Sequence, residues 1–449
     1  MKQFRQLLLS LFFSLFAGLT QAHDLVSVYQ QAAREDPQLE HAREALGVVQ
    51  ETQSQASAAL FQPEASFNAS VNQDMQNVQL SGTDPTGASG RSSFLFGGYS
   101  LTLTQPILHY DRFIAWQQAD SRIALAEAEF AEAEIALLLR VSERYFEVLA
   151  AADNVQFANA QRDTLSRGLK ETRQRQMVGF LAMTDVQEAQ AGYDRAVADA
   201  IEADHLLSDA KESLQEVTGS HYDQLAGLRD EMPLIPPDPA DEDRWVSQAL
   251  TQNFGLLVSE QAVKIAKADI DIQKAGHLPT LDATGGHIFA TTGGRFGAAN
   301  TEDTIVGLAL NVPLYQGGRV NSRIRQADHR YREAQATLKQ AQRSVHRAAS
   351  KAFLGVTAGI SRVKALQQTL HSSETAVKAT AAGFRAGYRT PLDVIVTERQ
   401  RLSAQRDYTR ARFDYLLNTL RLKQAVGTLS PEDLAKVNKW LATAPMAER

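Results

Sequence analysis

The sequence predicts an α+β membrane protein built of two matching halves, each a β-hairpin followed by very long helices of coiled-coil type. Three observations predict it: a duplication, a pair of period-two segments, and two proline-free stretches dominated by Ala, Glu, Gln, Arg and Leu. The duplication is read from Gly179-Phe180 and Thr184-Asp185-Val186, which recur as Gly387-Tyr388 and Leu392-Asp393-Val394 at a spacing of 208 residues. Gly219 and Gly427, Ala119-Asp120 and Ala327-Asp328, and Tyr145-Phe146 and Phe353-Leu354 keep that spacing. Pro106 maps onto Pro313 one residue short of it and Pro63 onto Pro279 eight over, so the first copy carries a longer loop. A single duplication of a ~200-residue unit means two pseudo-equivalent halves of one architecture rather than a solenoid.

Residues 1–22 have the basic start, the apolar run 7–19 and the small-residue end (Thr20-Gln21-Ala22) of a secretory signal peptide, which makes His23 the mature start. The run is thirteen residues long, and a bilayer-spanning helix needs ~20; the alternative is an uncleaved anchor. The first copy then occupies 23–219. Segments 25–34 and 38–61 read as a short and a long helix, stopped by Pro63, whose ring disfavours helix in the preceding residue. At 65–74 the period changes to two, with Phe67, Ala69 and Val71 on one face, and a Gly-rich loop (81–92) follows. Tyr99, Leu101 and Leu103 alternate with Ser100, Thr102 and Thr104 in a strand expected to end at Pro106, closing a hairpin over about 65–105.

Residues 111–177 hold no proline; at 1.5 Å per residue this is a helix of roughly 100 Å. Ile123, Phe130 and Leu137 step by seven, and Tyr145, Leu149, Ala152 and Phe157 continue with slips, as in a coiled coil with stutters. A turn at Gly179 leads to a shorter helix, 184–218. The segment 220–243, with Pro233, Pro236, Pro237 and Pro239 among acids, is the connector. The second copy, 244–429, repeats the design: a hairpin over about 281–312, a long helix 321–385, a turn at Gly387 and a helix 391–427. Residues 430–449 are a short helix opened by Pro431 and a polar tail.

The chain has no cysteine, so disulfides, thiol chemistry and the lipid anchor of a lipoprotein precursor are excluded. A net charge of −6 argues against a nucleic-acid partner. No other run approaches twenty apolar residues, so entry into a membrane must be by strands closed into a barrel, where every backbone group is paired. The strands suit that role. At an offset of 207, Tyr99, Leu101 and Leu103 fall on Val306, Leu308 and Leu310, while Ser100, Thr102, Thr104 and Gly307, Ala309, Asn311 take the other face. Apolar-out and polar-in is the pattern of a transmembrane barrel with a wet lumen, with these six side chains toward outer-membrane lipid; the strands alone also allow a half-buried hairpin in a soluble protein. Four strands are too few to close, so other copies of the chain must complete the wall, and a pore with a helical duct is the natural function.

Pro313-Leu314-Tyr315-Gln316-Gly317-Gly318-Arg319 after the last strand, and Gly387-Tyr388-Arg389-Thr390-Pro391-Leu392-Asp393-Val394 before the last long helix, give the chain its family resemblance. In their order within the two repeats they resemble the TolC-like outer-membrane efflux and type I secretion channels over 23 to about 429. The resemblance implies a homotrimer with a twelve-stranded outer-membrane β-barrel and a coiled-coil barrel of twelve helices as a periplasmic tunnel. It also implies an inner-membrane transporter of ABC, RND or MFS type and a periplasmic adaptor (membrane fusion) protein, the latter meeting the turns at Gly179 and Gly387.

The resemblance further places a gate at the periplasmic tip. Thr184 and Asp185 match the family's Thr-Asp, Arg389 its arginine, and Asp393 the first of two aspartates ringing the entrance. Val396 stands where the second aspartate would be, and Phe384 replaces a tyrosine whose hydroxyl helps the closed state; Glu188, three residues after Asp185, can restore a second ring of charge. Physically, three Asp393 carboxylates around one axis favour cations, and Arg389 with Asp185 can tie neighbouring helices. The bland alternative is that Asp185 serves its own helix start and Arg389 is a solvated turn charge.

Nothing points to an enzyme or a cofactor. The ten histidines are scattered, and Gly293-Gly294-Arg295-Phe296-Gly297 lies in a hairpin loop rather than between a strand and a helix. A pore-less periplasmic coiled-coil scaffold and a surface adhesin are the rival readings. Cargo spans drugs, metal ions, metabolites and secreted proteins, and the missing lipidation cysteine leans toward the type I secretion branch.

Overall fold

The computed structural model describes residues 22–79, 81–82, 89–229, 231–293 and 299–445. The signal-peptide reading over 1–21 and most of the Gly293–Gly297 loop lie outside the described residues. The chain forms two compact units. One comprises residues 44–128 and 257–340 and contains a four-stranded sheet; the other comprises 1–43, 129–256 and 341–449. Helices α1 (Leu25–Glu35), α2 (Pro37–Phe61), α3 (Tyr110–Met177) and α4 (Met183–Thr218) belong to the first half of the chain, with strands β1 (Glu64–Val78) and β2 (Gly90–Leu108) between α2 and α3. After β3 (Ala226–Leu228) come α5 (Glu242–Gln252), α6 (Phe254–Ala275), β4 (Thr280–Thr292), β5 (Ala299–Asn311), α7 (Arg319–Arg385), α8 (Pro391–Val426), α9 (Pro431–Asn438) and β6 (Leu441–Pro445). The long helices are 68 and 67 residues in α3 and α7, and the helices after each turn are 36 residues in both α4 and α8. No described helix is long and apolar enough to cross a membrane.

In the sheet-bearing unit the strand order is β1-β2-β4-β5, antiparallel throughout, so β2 and β4 join the two hairpins and β1 and β5 form the edges. The period-two segments are strands, as expected, but β2 does not stop at Pro106. It runs to Leu108, and its pairing with β4 shifts register between Pro106 and Leu108. A proline lacks the ladder N–H, and a bulge is where a strand tolerates one. The first hairpin's extra residues lengthen its strands, of 15 and 19 residues against 13 and 13, and not the loop alone. Gly98 keeps β2 close to β4, since a Cβ there would run into the Phe289 carbonyl.

The other unit is helical around one core. Leu137, Val141, Tyr145, Phe146 and Leu149 of α3 pack with Leu214 of α4, Val356 of α7 and Phe413, Leu416 and Leu420 of α8. The short elements close over it: Leu25 and Val28 of α1, Trp245 and Ala249 of α5, and Leu434 of α9 are all buried. Of the expected positions Leu137, Tyr145 and Leu149 are core residues, whereas Ile123, Phe130, Ala152 and Phe157 are half-buried and the buried neighbour of Ala152 is Asp153. The segment between α4 and α5 is held by two hydroxyls. Tyr145 donates to the Ala226 carbonyl (2.7 Å), and the Tyr415 hydroxyl binds both the carbonyl and the N–H of Ile235 (2.9 Å each). The tail after α9 is not purely polar, because Leu441 is buried and β6 pairs with β3. The start of α1 and the end of α9 meet here: Asn438 donates to Asp24, whose carboxylate also caps α1 through the Ser27 N–H.

Candidate functional site

Two regions concern function: the sheet, and the helix tips around Gly179 and Gly387. Residues paired across an antiparallel ladder share a face, so the register sorts the sheet completely. Phe67 pairs with Leu101, Ala69 with Tyr99, and Ala65 with Leu103. On the next strand Tyr99 pairs with Phe289 and Leu103 with Gly285. Gly285 in turn pairs with Val306, Ala283 with Leu308 and Leu281 with Leu310. All six residues expected to be lipid-facing, Tyr99, Leu101, Leu103, Val306, Leu308 and Leu310, therefore lie on one face, and each is exposed, Val306 to 85%. The opposite face carries Ser66, Asn68, Ser70, Asn72, Ser100, Thr102, Thr104, Asp282, Thr284 and Asn311. The apolar face also holds polar pairs: on β4 and β5 His287 reaches the Thr304 hydroxyl (3.0 Å) beside Glu302 (3.7 Å), and on β1 and β2 Gln73 donates to the Ser93 hydroxyl (3.1 Å).

The tips are two helix-turn-helix points. Gly179 and Gly387 have φ of 79° and 84°, a left-handed conformation that only glycine adopts without strain, so the reversal is built on them. Beyond each glycine the next helix starts on an acid. Asp185 accepts from the Ala182 N–H (2.9 Å), and Asp393 accepts from both the N–H and the hydroxyl of Thr390 (2.8 and 2.9 Å). The Thr390 hydroxyl also accepts from the Asp393 N–H, completing a capping box that Ala182 lacks the hydroxyl to complete. The Thr390 backbone and hydroxyl, with Arg389 nearby, hold the Asp393 carboxyl below the usual carboxylate range. Arg389 lies against Gly383, whose Cβ, if present, would meet its side chain. Within one chain the structure thus brings Arg389 to Asp393 and to the end of α7. The ion pairs among the described residues include none between Arg389 and Asp185. Thr184 and Glu188 are exposed on the first turns of α4, and Val396 is exposed on α8. Met177, Val178, Phe180 and Met183 at one turn, and Tyr388 and Leu392 at the other, are large apolar side chains left in solvent.

A two-faced antiparallel sheet joined to very long helices is the architecture of a known group. The model of the outer membrane efflux protein family matches residues 28–220 and again 245–428, once over each half. The chain belongs to this family. The TolC outer membrane protein of Vibrio cholerae is 32% identical over 449 residues, 99% of this chain and 100% of that one. The proteases secretion protein PrtF of Dickeya chrysanthemi is 28% identical over 99% of this chain and 97% of its own. Among solved structures, the CmeC outer membrane channel of Campylobacter jejuni superposes with a TM-score of 0.74 at 14% identity, covering 95% of this chain and 90% of that one. The protein is an outer-membrane exit channel.

Two residues of the channel had no signal in the sequence pattern. Arg175, in the last turn of α3, lies over the Phe384 ring at 5.9 Å and pairs with Glu171 (2.7 Å). Asp153, mid-way along α3, is 7% exposed, and its Oδ2 has no hydrogen-bond partner. Burial pushes the Asp153 carboxyl up to about 7 against the opposing pull of Arg412. Neither is reachable from spacing: both are polar residues at positions whose meaning depends on which helix packs beside them.

Proposed function

We propose that three copies of the channel join edge to edge, β5 of one beside β1 of the next, into a twelve-stranded barrel in the outer membrane, continued by a periplasmic helical tunnel. The observation that carries this reading is the four-stranded sheet with one exposed apolar face, one polar face and two edges. Lipid supplies no hydrogen bonds, so such edges persist there only if another chain covers them. Strands of 13 to 19 residues exceed the ~9–11 that a tilted strand needs to span a bilayer. The near-equal helix lengths of the two halves support a duplication, with 23–219 and 244–429 as repeats, 220–243 as connector, 1–22 as a removed signal and 430–449 as a closing tail.

In this reading the tips are the closed end. Asp393 contributes three carboxylates to the entrance, with Thr184, Asp185 and Glu188 nearby, and Arg389 ties to Asp185 between chains. The exposed apolar residues beside Gly179 and Gly387 support docking of a periplasmic adaptor, because patches of this kind mark interaction sites. The channel performs no chemistry in this account; an inner-membrane transporter supplies energy. Cargo includes secreted proteins, a class named for the relative PrtF.

The test is planar-bilayer recording with the purified channel. We expect stepwise cation-preferring currents, a raised open probability in Arg389→Ser and Asp185→Ala, and a reversal potential displaced toward zero in Asp393→Asn in a salt gradient. A protein that gives no pore, or one in which none of these substitutions changes the current, contradicts the reading.

A further inference from the structure

We infer that Arg175 and Phe384 form a cation–π latch that holds the tips of α3 and α7 together, and so joins the two halves of each chain when the channel is closed. The inference rests on the gate reading above. Its observations are independent of Arg389 and Asp393: the Arg175 guanidinium stands 5.9 Å from the Phe384 ring centre, within the ~6 Å over which a ring face attracts a cation. Glu171, one turn earlier on α3, pairs with the same guanidinium at 2.7 Å and fixes the side chain's direction. Phe384 is half-buried at the last turn of α7, three residues before the Gly387 reversal.

Phenylalanine has no hydroxyl, so it cannot close a gate by hydrogen bonding. Its ring face carries negative charge density, and a planar guanidinium stacks on it without needing a donor–acceptor pair. Sequence places Arg175 in the last turn of a helix whose C-terminal dipole also favours a cation, so the group is held at the tip from both sides. The partners come from different halves, one from α3 and one from α7, and separating the helix pairs breaks the contact. Near an exposed surface one such contact is worth a factor of about 2–5, and three acting on one opening equilibrium multiply to about tenfold or more.

The experiment is the open probability of the full-length channel in planar bilayers, with trimer formation checked on unheated gels. Arg175→Ala and Phe384→Leu are each expected to raise it about tenfold or more. The double substitution is expected to add little beyond either single one, because both remove the same contact, and Phe384→Tyr, which keeps the ring, is expected to stay closed. Arg175→Ala is on a half-exposed residue and keeps the assay informative if Phe384→Leu fails to assemble. If Arg389→Ser opens the channel while Arg175→Ala does not, the latch is wrong and the gate reading stands. If neither opens it, the gate reading itself falls. Full additivity of the two substitutions, or opening by Phe384→Tyr, also overturns the latch.

Discussion

Leu101→Arg is expected to remove assembled trimers from the outer membrane, whereas Thr102→Arg, one residue away, is expected to assemble and alter conductance. Neighbouring strand residues face opposite sides, so the pair tests the sheet's polarity with one chemistry. Leu101 sits between Leu103 and Tyr99 and opposite Phe67 on the exposed apolar face. An arginine near the middle of a lipid-facing band costs about 2–4 kcal/mol per chain, and the proposed trimer carries three. Thr102 pairs with Ser66 and with Gly286 on the polar face, where a cation meets water. Trimer yield in the outer-membrane fraction, read on unheated gels, checks both. Equal yields from the two variants would remove the assignment of faces.

Asp153→Asn is expected to stabilise the helical unit above pH 7. The folded state holds the Asp153 proton to about 7, from an ordinary value of 3.8, because burial disfavours the charge. The sign follows from linkage: the raised value makes the protonated group's contribution complete below pH ~4 and lost as pH rises through ~7. Each unit of difference is 1.36 kcal/mol, so the loss in the wild type is at most about 4 kcal/mol. Asp153 borders a cleft of about 320 Å³ between α3, α4 and α8, where Glu147, Asp209 and Asp407 add negative charge and Arg406 and Arg410 offset it. Other carboxylates pull the other way, since their hydrogen-bond partners lower Asp24 and Asp433. The diagnostic quantity is therefore the difference between variant and wild type. Thermal melts at pH 5 and pH 8 should show the variant's advantage growing with pH; an advantage that is absent or constant would contradict the buried charge.

The parts of this protein that repeat a local rule were legible in its sequence. Alternation at Tyr99, Leu101 and Leu103 fixes which side chains share a face whatever the sheet packs against, and the paired register agrees for all six residues named. Proline-free runs rich in helix formers gave α3 and α7 to within two residues, and Gly179 and Gly387 marked the turns because the reversal requires positive φ. What depends on partners was not legible. β3 and β6 are three and five residues long, too short for any period, and exist because Leu441 finds a buried place beside Leu228. Pro106 reads as a stop until the bulge that accommodates it is known. At the tips, the alternative that Asp185 serves its own helix start is the bond the chain makes, and Asp393 does the same, but spacing gave no sign that Arg175 covers Phe384.

The central claim is that the edges β1 and β5 of neighbouring chains meet and that three chains close the ring. The native chain has no cysteine, so a variant carrying Asn68→Cys on β1 and Ala309→Cys on β5, both on the polar face, has thiols only at those edges. Treated in outer membranes with a short bifunctional maleimide, it should give linked species of two and three chains and nothing larger, with either single substitution remaining monomeric. A product confined to one chain, or a ladder continuing past three, would contradict the account.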